Sequence, residues 1–544
     1  MFATLEWADQ DRATGLIEGD LMFTSPFADE LIPALSIYDF LFSDLTAVDL
    51  NRIALVDGPS GAETSYAQLV GQIDAVAGAL AARGVKVGDV VGMLCPNVPV
   101  FASVFHGILR AGATATTINA LSTPEEIVSQ LSDSKARFLF TISPMLPQAK
   151  IAANQVGIDA EHLIVIDGAE GHPSLRDLLA QQSTPPEVSF DPATHIAVLP
   201  YSSGTTGKPK GVMLSHTNLV ANVQQCRPVL DVEQDDRVLA LLPFFHIYGM
   251  TVLLNIALKK RARLVTMPKF DLVEFLRITQ DHGCTYLFIA PPIAVALAKH
   301  PIIEQYDLSK VRVVFSGAAP LDTALAETVA RRLDTRVAQG YGMTEMSPVS
   351  HVIPPDRMDI ARGSIGVPVA NIECKLIDVE TGEEVLAGTG MSEPGELWVR
   401  GPNIMLGYLG RDDATRESLE ADGFLRTGDI ATVDADGSFF IVDRLKELIK
   451  YKGYQVAPAE LEALLLTHPL IADAAVVGAP DDDGQEVPKA FVVTVAGAEL
   501  DEDAVMAFVA KRVAPHKKVR QVAFIETVPK SSSGKILRKD LRAR

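Results

Sequence analysis

Apolar and polar positions recur with two different periods along the first 180 or so residues, about a third of the chain, and the switches between them predict helix and strand in turn. In TSYAQLVGQIDAVAGALAARG, Leu69, Ile73, Val76 and Leu80 recur at helical spacing, Ser65 with Gln68 makes a capping box, and Gly84 ends the helix. VGDVVGML then predicts a strand and VPVFASVFHGILRAG a second helix, while a third opens at Thr123-Pro124, with Thr123 as cap and Pro124 in the first turn. That order predicts a parallel sheet with crossover helices. Further on, RARLVTM, CTYLFIA and VRVVFSG predict buried strands that end at small or proline residues, where functional loops tend to sit. After Gly363 the texture changes to shorter strands and turns (NIECKLIDVETGEEV, GELWVRG, GSFFIVDR), which predicts a β-rich part. The last stretch returns to helix and strand, with Pro458 at a helix start, and suits a small α+β module of about a hundred residues.

Composition narrows the class. A chain of 544 residues, 48% of them hydrophobic, exceeds one core and predicts at least two α/β domains. Cys95, Cys226, Cys284 and Cys374 lie far apart with no C-x-x-C pair, which argues against a disulfide framework or thiolate zinc site and suits a reducing, cytoplasmic setting. The start MFATLEWADQD lacks the basic-to-apolar transition of a secretory signal, and the ending LRAR is not a peroxisomal address. Apolar runs such as MTVLLNIAL are too short to span a membrane and predict core. The net charge of −21 argues against a nucleic-acid partner. From Ile441 onward, however, 16 Lys and Arg face 15 Asp and Glu, and the stretch from Lys511 is basic: a solvated helix or a lipid-surface patch on charge alone.

Chemistry concentrates in YSSGTTGKPKGVMLSH, residues 201 to 216. Glycines let backbone amides approach an anion and lysines supply charge, so a nucleotide phosphate is expected. The nucleoside triphosphatase P-loop is excluded: Pro209 follows Gly207-Lys208 where Ser or Thr should hold magnesium, and Ser202 stands where the first glycine should.

The block resembles instead the phosphate loop of the adenylate-forming superfamily, which includes acyl-CoA synthetases, luciferases and the adenylation domains of peptide synthetases. Four further blocks stand in that family's order: QGYGMTE at Gln339 to Glu345, RTGD at Arg426 to Asp429, VDRLKELIKYKGYQVAPAELE from Val442, and PKSSSGKILRKDLR from Pro529. The similarity covers nearly the whole chain and is greatest toward 4-coumarate:CoA ligases and their relatives. It implies an ATP-dependent acid:CoA ligase that joins a carboxylate to AMP with release of pyrophosphate, then passes the acyl group to the CoA thiol with release of AMP. It also implies an N-terminal adenylation domain over 1–443, its β-rich part at about 363–443, and a mobile C-terminal domain over 444–544 that swings about a hinge near Lys446. By the same resemblance, Ser202, Ser203, Gly204, Thr205, Thr206, Gly207 and Lys210 clasp the phosphates. Gln339 and Gly340 bind the nucleotide with the rest of their block, in which Tyr341 stacks on adenine, Thr344 touches the α-phosphate, and Glu345 helps hold Mg2+. Asp429 bridges the ribose hydroxyls with Arg444 assisting, as suits an acceptor-only carboxylate. Gln455 approaches the adenylate, and Lys535 reaches both the attacking carboxylate and the α-phosphate.

For the acid, PFFHIYGM places His246 where members using aromatic acids keep a histidine guarding the thiol tunnel, and Tyr248 where a tyrosine contacts the acyl group. Gly317 and Ala318, with Pro348 and Val349, are implied as the far wall. Lys450, Lys452 and Gly453 lie in the loop beside the tunnel, Lys450 toward the acyl group and the other two toward CoA, for which Lys269 is a further candidate. An aromatic, phenylpropanoid-like acid is expected. GELWVRG, where plant members carry GEICIRG, departs at Leu397 and Trp398 and weakens the case for a hydroxycinnamate itself. A medium- or long-chain fatty acyl-CoA synthetase, a fatty acyl-AMP ligase serving a carrier protein, and a non-catalytic nucleotide-binding scaffold remain open, as does a homodimer.

Overall fold

In the computed structural model, residues 22–202, 209–357, 359–386, 390–451, 454–481, 486–495, 497–531 and 535–542 are described. The local signals hold where they are local. The helix Tyr66–Ala82 starts on a Ser65/Gln68 capping box and stops before Gly84, which takes φ 83°; Pro124–Ser134 starts on a Thr123/Glu126 box. Leu69, Ile73, Val76 and Leu80 are fully buried on one face of the first of these helices.

Three sheets build the large part of the molecule. In the first, Ile196–Val198, Thr114–Ile118, Val90–Leu94, Phe138–Thr141 and Leu163–Val165 run parallel, and Lys210–Ser215 and Gly407–Tyr408 close one edge antiparallel. The second has a parallel centre of Ile53–Asp57, Arg263–Thr266, Arg237–Ala240, Tyr286–Ile289, Val313–Ser316 and Arg336–Gly342, with antiparallel strands at both edges. The third is the expected β-rich part: Phe23–Thr24, Glu373–Ile377, Gly395–Arg400, Leu425–Val433 and Phe439–Arg444, all antiparallel. One continuous apolar cluster, from Phe23 to Phe439, fills the space the three sheets share.

A smaller α+β module follows, with its own core of Ile449, Val456, Leu461, Val476, Val492 and Val505 among others. Its sheet pairs Ile471–Pro480 antiparallel and Gln521–Phe524 parallel with Glu486–Thr494, and the helix Pro458–Leu466 packs on it. The run MTVLLNIAL is core, as its composition requires, but the segment Tyr248–Asn255 winds as a π-helix. No described helix is long and apolar enough to cross a membrane.

Candidate active site

The strand Arg336–Gly342 ends with Gln339, Gly340 and Tyr341 at its carboxyl tip. A Cβ on Gly342 would stand 2.0 Å from the Pro348 carbonyl oxygen, so only glycine lets the chain fold back over Pro348 here. The turn Thr344–Met346 follows, and Glu345 in it is 4% exposed. A buried carboxylate needs donors, and Tyr408 supplies one: its hydroxyl donates to Glu345 Oε1 at 2.9 Å. Tyr408 is held by pairing with Val212, and Lys210 Nζ lies 4.7 Å above its ring. Lys210 after the glycine-rich stretch, Tyr408 and Glu345 are therefore linked in one chain of contacts. At the loop's entrance, the Tyr201 hydroxyl donates to Asp133 Oδ2 at 2.8 Å, and Ser202 pairs with Lys210 across a short ladder.

A second group comes from the third sheet. Asp429 and Arg444 are register partners on adjacent strands, with Arg444 Nε 3.2 Å from Asp429 Oδ1. The Tyr341 hydroxyl donates to the other oxygen, Oδ2, at 2.5 Å. Asp429 is fixed from behind by its own N–H on Thr427 Oγ1 at 3.0 Å, while that hydroxyl donates to the Leu397 carbonyl at 2.7 Å. Burial, together with the Asp429 charge, pushes the Tyr341 phenol well above its ordinary range.

Lys535 faces this group. Its loop is cinched by Ser531 N–H on the Lys535 carbonyl at 2.8 Å and Lys535 N–H on Ser531 Oγ at 3.1 Å. Burial first, then the Arg444 charge, lowers its ammonium from the usual value, while Asp429 and Glu345 pull it back up. His246 is held down to about 4 by burial and by the Lys535 charge, so its imidazole is neutral near neutral pH. The lysine, two carboxylates, a guanidinium and a neutral imidazole thus share one electrostatic neighbourhood, assembled from the second and third sheets and the small module.

Two residues beyond His246, Tyr248 opens the π-helix and its ring lies directly on Gly317: a Cβ there would meet ring carbons at 2.7 Å. Its hydroxyl is buried with no hydrogen-bond partner among the described residues. Ala318 follows in the left-handed region at φ 72°, and Val349 is clamped by Asn222, which accepts its N–H at 3.0 Å and donates to its carbonyl at 2.7 Å.

Other expected residues make contacts with the scaffold or are exposed. The Gln339 amide donates to the Ser364 carbonyl at 2.6 Å and accepts the Leu321 N–H at 3.2 Å. Lys269, Lys446 and Lys450 are exposed, and the Lys450 N–H goes to Glu486 Oε2 at 2.8 Å. Ser203 to Gly207, Lys452 and Gly453 lie outside the described residues, as does the side chain of Gln455. Sequence reading missed Tyr408 and Asp133, because the contacts that recruit them, one of them spanning 63 residues, leave no trace in local spacing.

This geometry has close relatives. Residues 44–409 match the AMP-binding enzyme family and residues 460–535 the AMP-binding enzyme C-terminal domain. 4-coumarate–CoA ligase 2 of Solanum tuberosum is 42% identical over 536 residues, covering 97% of each chain. Among solved structures, ATP-bound MatB from Rhodopseudomonas palustris superposes with a TM-score of 0.85 at 28% identity, covering 93% of this chain and 98% of that one. The anthranilate CoA ligase AuaEII in complex with anthranoyl-AMP does so at 0.85 and 30%, covering 94% and 97%. The chain belongs to the AMP-binding enzyme family. Within that family it is an AMP-forming acid–CoA ligase similar to the 4-coumarate–CoA ligases, and ATP and CoA are its co-substrates.

Proposed function

We propose that the acid is aromatic and phenylpropanoid-like, and that the residues gathered around Asp429 and Lys535 carry out its adenylation. The observation that carries the reading of the acid is the Tyr248 ring seated on Gly317 with a buried, unpartnered hydroxyl. A flat ring packs against such a surface, and a polar substituent on it would give that hydroxyl a partner. In the first step an acid oxygen attacks the α-phosphorus of ATP and the bond to pyrophosphate breaks; Lys535 and Thr344 bear on the charge that develops, by positioning and electrostatics. Tyr341 offers its ring to adenine, while Asp429 and Arg444 hold the ribose. In the second step the CoA sulfur attacks the acyl carbon, the bond to AMP breaks and the thiol proton leaves to solvent; neutral His246 stands beside that path.

Among the described residues no group of three or more His, Cys, Asp or Glu could hold a metal. Glu345 fits Mg2+ all the same, since this ion takes one or two carboxylates plus substrate phosphates rather than a protein cage. When bound, the ion would neutralise phosphate charge.

We place the domain boundary at 443/444 and the hinge at Lys446, with Lys269, Lys452 and Gly453 toward CoA. The placement of Lys535 beside Asp429 and Glu345 suits the first step; the second needs another orientation of the small module. Turnover with CoA across cinnamic, benzoic and C6 to C16 acids, with mass detection of product, tests the substrate reading. Preference for long alkyl acids would overturn it, and adenylate without thioester would point to a carrier-protein thiol.

A further inference from the structure

The helix Pro458–Leu466 starts without a cap of its own, since Ala457 in the N-cap position makes no side-chain hydrogen bond. The first-turn N–H groups of a helix need acceptors, and here one acceptor comes from elsewhere. Asp443 Oδ2 takes the Ala459 N–H at 2.9 Å, while its Oδ1 takes the Arg444 N–H at 2.6 Å. Asp443 belongs to the strand Phe439–Arg444 and pairs with Ile430 in the third sheet, so it is part of the large module. Ala459 lies in the small one. Lys446 stands between them.

Two charge pairs near this junction lie within the small module. Arg538 Nη2 donates to both Glu462 carboxylate oxygens, at 2.8 and 2.7 Å, and Arg542 reaches Glu447 at 2.5 Å. Both arginines sit on the helix Arg538–Arg542, three residues beyond Lys535 at its start, and fix the lysine's loop to the module's body. These pairs lie on one side of Lys446 and travel together in any swing. The Asp443–Ala459 bond crosses it.

We propose that Asp443 is a positioning residue: from the large module it caps the first helix of the small one, holding Lys535 in the adenylate-forming orientation, and it lets go when the small module turns for the thiol step. This rests on the two-orientation reading above. A latch opened in every turnover must be weak, and the surroundings make it so. Asp443 is 4% exposed, and burial pushes its carboxyl above the ordinary range, with Glu447 adding to this while the two N–H groups and Arg538 oppose it. Release returns the carboxylate to water and recovers part of that penalty.

The test separates holding from folding. D443A removes the cap, and the double variant D443A/A457S installs a cap inside the small module, where Glu460 stands at the third helical position as a capping box requires. Caps of this kind move equilibria about two- to thirtyfold. The expected result for D443A is a loss in that range in acid-dependent pyrophosphate–ATP exchange, a lower melting temperature, and unchanged or faster thioester formation from supplied acyl-adenylate and CoA. A457S on that background should restore the melting temperature and leave exchange slow. Recovery of exchange along with stability would overturn the proposal, as would equal losses in both half-reactions. K535A is the control: it should abolish exchange and spare thioester formation, and equal loss of both would overturn the two-orientation reading itself and with it the role given to Asp443.

Discussion

The Tyr341 hydroxyl and Asp429 Oδ2 close a 2.5 Å hydrogen bond between the tip of the second sheet and the middle of the third, 88 residues apart in sequence. The bond fixes the tyrosine ring against the carboxylate that would take the ribose, so the two halves of the proposed nucleoside site would be spaced before any nucleotide arrives.

That spacing can be tested on its two components. Y341F keeps the ring and deletes the donor, so it should cost roughly 1 kcal/mol of stability and raise the KM for ATP a few-fold. Y341A also removes the ring, and base–aromatic stacking is worth about 1–3 kcal/mol; its KM should rise well beyond that of Y341F. Equal KM values for the two variants would mean that the ring does not carry adenine.

Tyr408 should govern Glu345. Y408F leaves a buried carboxylate oxygen without its donor, a loss of about 1–3 kcal/mol. The Mg2+ concentration giving half-maximal pyrophosphate exchange should shift, with the KM for the acid unchanged. A variant whose Mg2+ titration overlays the wild type would detach Glu345 from the ion.

Gly317 should set the room for the acid. The Cβ of G317A would stand 2.7 Å from Tyr248 ring carbons and force that ring to move. Turnover of substituted aryl acids is expected to fall at least about tenfold, a cost of roughly 1.4 kcal/mol, and that of short acids much less. A uniform loss across acids of all sizes would place the acyl pocket elsewhere.

Acid should unfold the protein through its histidines. Burial holds His106, His216 and His351 down to about 3, with the His195 charge assisting for His216, and burial with the Lys535 charge holds His246 down to about 4. In the unfolded chain each returns toward 6.5, so there the unfolded state binds protons that the native state refuses. Stability from these groups is complete above that value and is lost progressively as pH falls through the window below it. Denaturant midpoints measured between pH 6.5 and 4.5 should decline steeply. H106L should flatten the decline by close to one proton, since both His106 ring nitrogens are buried without a partner among the described residues; an unchanged slope would contradict this.

What could be read from the sequence divides along a physical line. Capping boxes at Ser65/Gln68 and Thr123/Glu126 are contacts three residues apart, and they form as read. The blocks around Tyr341, Asp429, Arg444 and Lys535 were legible because the resemblance carries several of them in order. Tyr408 was not, for it gains its role only when Gly407–Tyr408 is laid beside Val212 and Met213 by the folding of two distant segments. The π-helical winding of Tyr248–Asn255 escaped for another reason: an apolar run buried on all sides has no polar stripe to reveal its period. Gln339 lay in a legible block, but the bonds its amide makes to Ser364 and Leu321 are set by tertiary neighbours and could not be read.

The strand register that pairs Asp429 with Arg444 reaches beyond the ribose. Arg444 is the last residue of its strand, and the chain passes from there directly to Lys446 and the small module. On the proposed assignment, whatever rests on Asp429 would pull on the same rung from which that module hangs, and cargo and lever would share one fulcrum: loading or emptying the proposed nucleoside site would alter the load on the joint that aims Lys535.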